Sequence, residues 1–167
     1  MLLFTITFAN WKRMGTNEAE KAVTVGPLKG TLAEVESFYS RCGYQGGVSP
    51  KDTVITATEG DLIIGVVRLC EEEGVTVLRG MQVVPYRRRM GVGTRMLQDV
   101  RKLVGTRACW GIAPPHLEKF YRQVGFRFVE QATAPQHLQE RLQGYLARYR
   151  NGNRIMCRIP QSDTATP

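Results

Sequence analysis

Apolar residues recur along this chain with two different spacings, and the spacing separates strands from helices. Residues 53–58, 62–70 and 75–84 are rich in valine, isoleucine and leucine, and such side chains suit a pleated, buried surface. Connections of only three or four residues separate these runs, which predicts an antiparallel meander. Shorter apolar runs predict further strands at residues 22–25, 108–112, 126–129 and 154–159.

Four other segments carry their apolar residues at helical spacing. They are residues 31–42, 92–104, 114–124 and 133–150. Thr31 and Glu34 stand three residues apart at the start of the first segment, the spacing of a capping box. The second helix connects two apolar strands, so these strands should lie parallel to each other.

The order of these elements predicts a mixed α/β (α+β) fold, with a central mixed, mostly antiparallel sheet flanked by helices. We expect three regions: an N-terminal extension at residues 1–21, one folded domain at 22–160 and a loose tail at 161–167.

A basic, glycine-containing turn lies between the strand at 75–84 and the helix at 92–104. Pro85 cannot donate to a strand ladder, so the strand should stop there. Gly91 and Gly93 leave backbone N–H groups free to face an anion at the start of the helix. A turn of this kind can simply join two elements, but the three consecutive arginines before it repel one another unless an anion is present. The turn therefore predicts a phosphate-binding site.

Composition narrows the classes of function. The chain has 167 residues, 43% of them hydrophobic, and a net charge of +8. Residues 87–107 hold seven basic residues and one acid, so the excess charge gathers around the predicted phosphate site. We do not expect nucleic acid as a partner, because no motif supports it and the aromatic residues are not interleaved with the charge. An RNA- or DNA-binding domain remains a third class of function, and it predicts an affinity for nucleic acid that falls steeply as the salt concentration rises.

The sequence gives little reason to expect a metal site, a disulfide or a membrane-spanning segment. The two histidines, His116 and His137, are far apart, so we expect no metal site. The four cysteines are scattered and contain no Cys-x-x-Cys pair, which is typical of reduced core thiols in the cytoplasm. The apolar run at residues 1–9 is too short to span a bilayer. We therefore expect a cytoplasmic protein, with a homodimer left open.

Two motifs resemble the signatures of the GNAT superfamily of N-acetyltransferases. The first is Val83-x-Pro85-x-x-Arg88-x-x-Gly91-x-Gly93, and the second is Tyr121-x-x-x-Gly125-Phe126. The resemblance implies a GNAT-like acyl-CoA acyltransferase fold with acetyl-CoA as cosubstrate. The residues that it implies for coenzyme binding are Met81, Val83, Arg87, Arg88, Arg89, Met90, Gly91, Val92, Gly93 and Thr94.

The resemblance also implies catalytic roles. The hydroxyl of Tyr121 would protonate the departing thiolate, and the backbone N–H of Met81 would polarise the acetyl carbonyl. The backbone of Val83 would pair with the pantetheine arm. Val77 stands where some relatives carry a glutamate base. The proton acceptor is therefore open between another carboxylate, with residues 71–73 nearest in sequence, an ordered water, and an amine that arrives neutral.

The expected function is an acetyl-CoA-dependent N-acetyltransferase that acts on a primary amine of a small molecule or peptide by direct attack. Cys109 lies in an apolar strand without an adjacent histidine in sequence, so we do not expect it to be a nucleophile. The alternative is a non-catalytic acyl-CoA-binding regulatory module. The sequence does not identify the acceptor, which the first helices, the loop at 43–50 and the C-terminal segment would select.

Overall fold

The computed structural model describes residues 22–148 and 152–159. The predicted N-terminal extension and C-terminal tail lie outside these residues. The described part forms one seven-stranded sheet with helices on both faces. Its strands are β1 (Val23–Pro27), β2 (Thr53–Glu59), β3 (Leu62–Glu72), β4 (Val75–Val83), β5 (Cys109–Ala113), β6 (Arg127–Phe128) and β7 (Arg154–Arg158). Its α-helices are α1 (Leu32–Arg41), α2 (Val92–Val104), α3 (Glu118–Arg122) and α4 (Gln136–Arg148).

The sheet has the order β1-β2-β3-β4-β5-β7-β6. Only β4 and β5 pair in parallel among the described strands, and the other neighbouring pairs are antiparallel. The prediction of a mixed, mostly antiparallel sheet is confirmed, as is the parallel crossover through α2. Short 3₁₀ turns at Pro85–Arg87, Pro115–Leu117 and Gln131–Thr133 connect the later elements.

Local signals place several of the element ends. Thr31 and Glu34 form the predicted capping box at the start of α1, and Gly125 takes the left-handed conformation after α3. Three predicted elements are shorter than expected. The strand predicted at 126–129 pairs only over Arg127–Phe128, α3 keeps just five residues, and α4 begins only after Pro135, because a proline disfavours helical geometry at the residue before it.

Alternation along the strands divides the core between the two faces of the sheet. Val66 packs in the cluster under α1, whereas the next residue, Val67, packs in the cluster under α2. Likewise Val77 faces α4 and Leu78 faces α2. The helix α2 therefore covers one face, and α1 and α4 cover the other.

The contact between β4 and β5 is short. These parallel strands pair at Thr76 with Cys109 and at Val77 with Trp110, and no pair joins the later residues of β4 to β5. Further along β4 its register with β3 shifts, since Gln82 is opposite Val66 whereas Arg79 is opposite Arg68. Two strands that pair and then separate leave an opening in the middle of the sheet.

Candidate active site

A cavity of about 550 Å³ lies where β4 separates from β5. Its walls come from residues 77–82 of β4, the loop that follows α1, the start of the α3 region and the inner side of α4. The backbone of Met81 and the side chain of Tyr121 belong to residues that line this one cavity. The tertiary structure thus brings together two catalytic candidates that are forty positions apart in sequence.

A β-bulge shapes β4 beside Met81. Between the pairs formed by Arg79 and Gln82, β4 has two residues and β3 has one. Gly80 takes a positive φ of 60° in this bulge, a conformation that suits glycine. The extra residue of a bulge is left out of the ladder. The bulge can therefore direct the backbone of this segment toward the cavity rather than toward β3.

Tyr121 is buried on α3 and is only 6% exposed. Its ring contacts Phe120 edge-on at a centroid distance of 5.0 Å and Phe126 at 6.1 Å. Burial raises the pKa of the phenol above its ordinary range. The hydroxyl therefore stays protonated at neutral pH, as a proton donor must.

The N-terminus of α2 has the form of an anion site. Gly91 precedes the helix with a φ of 79°, and no side chain from the described residues caps the first turn. The first intrahelical bond runs from the N–H of Arg95 to the carbonyl of Gly91, so the N–H groups before Arg95 have no partner within the helix. A Cβ atom at Gly91 would meet nothing within 4 Å, so the space beside Gly91 at the start of the helix is open.

Gly93 differs from Gly91. A Cβ atom there would lie 3.1 Å from the ring of Phe120 and 3.4 Å from the Cε of Met81. The chain's own packing therefore already requires a small residue at Gly93. The same contacts place the first turn of α2 beside both Met81 and α3.

The three arginines of the turn have different surroundings. Arg87 forms an ion pair with Glu59. The Nε of Arg88 donates to the carbonyl of Val83 over 2.8 Å, and Arg89 is exposed at a φ of 60°. Arg88 and Arg89 form no ion pair with any described residue. These two side chains thus lie at the surface, where they can reach an anion.

The glutamates considered as proton acceptors are engaged elsewhere. Glu71 accepts from Thr76 at 2.8 Å, Glu72 pairs with two arginines, and Glu73 contacts His137 at 3.1 Å. None of the three lines the cavity, and no other aspartate or glutamate among the described residues does so. The thiol of Cys109 is also unsuited to catalysis, because burial raises its pKa to about 12.

Residues 50–128, which include the split strands, the turn and Tyr121, match the family model of the acetyltransferase (GNAT) domain. These residues therefore correspond to a GNAT acetyltransferase domain. No curated protein matches it by sequence.

Solved structures share the fold of this GNAT domain at low sequence identity. An aminoglycoside 6'-N-acetyltransferase complexed with coenzyme A is 14% identical, with 84% of this chain and 99% of that chain covered and a TM-score of 0.61. The ribosomal-protein-S18-alanine N-acetyltransferase from Escherichia coli is 15% identical, with 87% of this chain and 99% of that chain covered and a TM-score of 0.57. The N-acetylglutamate synthase from Neisseria gonorrhoeae, complexed with coenzyme A and N-acetyl-glutamate, is 11% identical. The alignment covers 84% of this chain and 36% of that chain, with a TM-score of 0.60.

Sequence reasoning missed several residues around the cavity of the GNAT domain. Arg79, Arg141 and Arg148 line it, and Tyr39 donates to the carbonyl of Gly80 in the bulge. No sequence motif marks these residues, since α1, β4 and α4 carry them separately. The spacing of Arg141 and Arg148 on one side of a predicted helix was the one available signal.

No described helix is long and apolar enough to cross a membrane.

Proposed function

We propose that this GNAT domain transfers an acetyl group from acetyl-CoA to a primary amine by direct attack. One observation carries the proposal: Met81 and Tyr121 line a single cavity at the point where β4 leaves β5. The first turn of α2, through Gly93, lies next to Met81 in the same region. An anion site, a backbone donor and a phenol are therefore close enough to serve one ligand.

The residues present fit the coenzyme. Its pyrophosphate needs backbone N–H groups without a side chain in front of them, and Gly91 provides open space at the uncapped start of α2. We assign the pyrophosphate to residues 87–94, with Arg88 and Arg89 as the exposed cations, and the pantetheine arm to the backbone of Val83. Acetyl-CoA supplies a thioester, whose acyl carbon is open to attack by an amine.

The residues of the chain then have separable tasks. The N–H of Met81 hydrogen-bonds the carbonyl oxygen, on which negative charge grows as the C–N bond forms. The hydroxyl of Tyr121 donates its proton toward the sulfur as the C–S bond breaks. The attacking nitrogen loses a proton in the same reaction. Because no described carboxylate lines the cavity, we propose that the amine attacks in its neutral form and that water takes up the proton that the nitrogen then loses and returns a proton to the Tyr121 oxygen.

The absence of a carboxylate from the described lining of the cavity supports a second candidate function. Val77 lines the cavity where a carboxylate base could stand, so a module that binds acyl-CoA without turning it over is the competing function. Release of the free thiol of coenzyme A with a panel of primary amines separates the two. Thermal stabilisation by coenzyme A without thiol release supports the binding module.

Tyr121→Phe tests the catalytic role. The change removes one oxygen and keeps the ring against Phe120 and Phe126, so we expect the affinity for acetyl-CoA and the Tm to change little. If the hydroxyl donates only in the transition state, kcat should fall by about 10²- to 10⁴-fold. The measurement is steady-state thiol release with an amine that the parent acetylates.

Tyr145→Phe is the matched control, because Tyr145 also lines the cavity but from α4. Its kcat should stay within a few-fold of the parent's. Equal activity of the Tyr121 variant and the parent would leave Tyr121 as a core residue and remove it from the mechanism.

A further inference from the structure

Arginine is the only charged residue type that lines the cavity in the described part of the chain. Arg79 comes from β4, and Arg141 and Arg148 come from α4. Tyr145 lines the cavity between them. Positions 141, 145 and 148 follow helical spacing, so one side of α4 faces the cavity. Two elements that are distant in sequence therefore bring cations to the same space.

A largely buried carboxylate contacts two of these arginines. Glu72 contacts Arg79 through Oε1 at 3.0 Å and Arg141 through Oε2 at 2.7 Å. The side chain of Glu72 is 16% exposed, and those of Arg79 and Arg141 are 27% and 24% exposed. The carboxylate holds both guanidinium groups and leaves part of each open to solvent.

The charges around the cavity do not cancel. Three guanidinium groups and the carboxylate of Glu72 sum to a charge of +2. Outside this group, Glu73 pairs with His137 and is 71% exposed, so solvent screens its charge. A guanidinium presents donors in a planar fork that matches a carboxylate. A cationic amine without an anionic group would meet repulsion here.

We propose that the acceptor is a primary amine that also carries a carboxylate, bound by Arg79, Arg141 and Arg148. The inference deepens the proposed function and rests on it. The carboxylate contacts the arginines, and the amine of the same molecule faces Met81 and Tyr121. The arginines thus select the acceptor, and they lie outside the residues assigned to the coenzyme.

Paired acceptors test this selectivity in the full-length chain. Each carboxylate-bearing amine is compared with its own carboxamide, in which an amide replaces the carboxylate. The amines are glycine, β-alanine, 4-aminobutyrate and glutamate, and spermidine serves as a polycation without a carboxylate. We expect kcat/KM for thiol release to favour the carboxylate member by about 10- to 100-fold, the size of one charged hydrogen-bonded pair. Phosphoethanolamine is compared with ethanolamine in the same way, and a preference for the phosphate member larger than that for the carboxylate members overturns the choice of carboxylate.

Arginine substitutions test whether the preference for carboxylate-bearing amines comes from the cavity. Arg141→Gln and the more exposed Arg148→Gln should each reduce the carboxylate preference about 10-fold or more, mainly through KM for the amine. Arg101→Gln, on the exposed side of α2, is the matched control and should keep the preference. The rise in Tm caused by coenzyme A should be the same in all three variants.

The outcomes separate this proposal from the function on which it rests. Absence of both coenzyme A binding and thiol release overturns the proposed function. Coenzyme A binding with amides or spermidine acetylated in preference to the carboxylate-bearing amines overturns the acceptor class alone, whereas coenzyme A binding with no amine reacting at all supports the binding module and overturns the proposed function. A carboxylate preference that survives both arginine variants overturns the assignment to these arginines.

A second, independent observation concerns the peptide group of the bulge. The hydroxyl of Tyr39 donates to the carbonyl of Gly80 over 2.8 Å. A Cβ atom at Gly80 would lie 2.4 Å from that hydroxyl, so only glycine allows the contact. Burial raises the pKa of Tyr39, which keeps its proton available for donation.

The carbonyl of Gly80 and the N–H of Met81 belong to one peptide group. No described peptide bond is cis, and in a trans peptide the carbonyl and the N–H point in opposite directions. A donor on the carbonyl therefore fixes the direction of the N–H on the other side. It also polarises the amide, since chains of hydrogen bonds strengthen one another.

We infer that Tyr39 is a positioning residue for the Met81 N–H in the proposed reaction. It acts through the peptide and does not touch the reacting atoms. Arg68 stacks over its ring at 5.4 Å and Tyr44 packs at 4.6 Å, so the phenol is held from two sides.

Tyr39→Phe removes the hydroxyl and keeps the ring. We expect kcat to fall about 3- to 30-fold with KM for acetyl-CoA unchanged, and the Met81 amide proton resonance to move upfield. Tyr44→Phe is the matched control, because its hydroxyl contacts Arg68 and not Gly80. A kcat within twofold of the parent's, or equal losses in both variants, would overturn the role of Tyr39 and leave the proposed function intact.

Discussion

Gly91 and Gly93 show that two glycines of one motif serve different purposes. Space in front of Gly91 is open, whereas Phe120 and Met81 occupy the space beside Gly93. Substitution at Gly93 would disturb the chain's own packing before any ligand is considered. Gly91 is therefore the position at which an added side chain reports on the ligand.

We predict that Gly91→Asn removes most of the stabilisation by coenzyme A. Asparagine tolerates a left-handed conformation, so the ligand-free chain should lose only about 1 kcal/mol. At 100 Kd of coenzyme A the parent should gain about 2.7 kcal/mol, roughly 5–10 °C in Tm. A thermal melt with and without coenzyme A gives both quantities.

Gly74→Asn supplies the control for this substitution. Gly74 lies in the hairpin between β3 and β4 with a φ of 81°, and a Cβ atom there also meets nothing within 4 Å. The two variants should lose similar stability, and only the Gly74 variant should respond to coenzyme A. A full response in both would remove the pyrophosphate from the start of α2.

Between elements, a buried ion pair joins β3 to the loop that follows α1. Arg68 of β3 is 1% exposed, and its Nη1 lies 2.6 Å from Oδ2 of Asp52. The same carboxylate oxygen accepts from the backbone N–H of Ser49. Because Arg68 also stacks on Tyr39, this pair connects the loop to the residue that contacts the bulge.

Asp52→Ala should reduce the free energy of unfolding by about 3–5 kcal/mol, because it leaves a buried guanidinium without its counter-charge. Guanidinium chloride unfolding measures the loss. Asp99→Ala is the comparison, since it breaks the pair with Lys102, whose side chain is 76% exposed, and should cost less than about 1 kcal/mol. Similar small losses in both variants would mean that solvent reaches Arg68.

For the whole molecule, the buried thiols link stability to alkaline pH. Burial raises the pKa of Cys109 to about 12 and that of Cys157 to about 11, whereas an unfolded thiol titrates near about 8.5. Above that pH the unfolded chain gives up protons that the folded chain retains. The contribution of these thiols to stability is therefore complete below about pH 8.5 and falls as pH rises toward the folded values.

We predict that the free energy of unfolding falls between pH 8 and pH 10.5, by up to about 1.4 kcal/mol per pH unit for each buried thiol. Cys109→Ala should be less stable than the parent at pH 8, and the difference should narrow as pH rises. Val100→Ala, a core truncation without a titratable group, should keep a constant difference. Parallel curves for the parent and the Cys109 variant would show that Cys109 titrates at the same pH in both states.

The sequence by itself determined the parts of this protein that depend on neighbours in the chain. The capping box at Thr31, the meander of β2 to β4 and the crossover through α2 follow from spacing and short connections, and the structure has all of them. The turn at 87–94 was predicted for the same reason, since arginines, glycines and a helix start lie within a few residues. Its role in coenzyme binding stays a prediction.

Only the tertiary structure decided the arrangement around the cavity. Tyr39 and Gly80 are 41 residues apart, and Arg79 meets Arg141 through Glu72 because α4 packs against the sheet beside β4 and β7. A bulge shifts register by one residue, which a two-residue alternation does not reveal. The charge of the cavity and the support of the Met81 peptide depend on long-range packing, so no local pattern contains them.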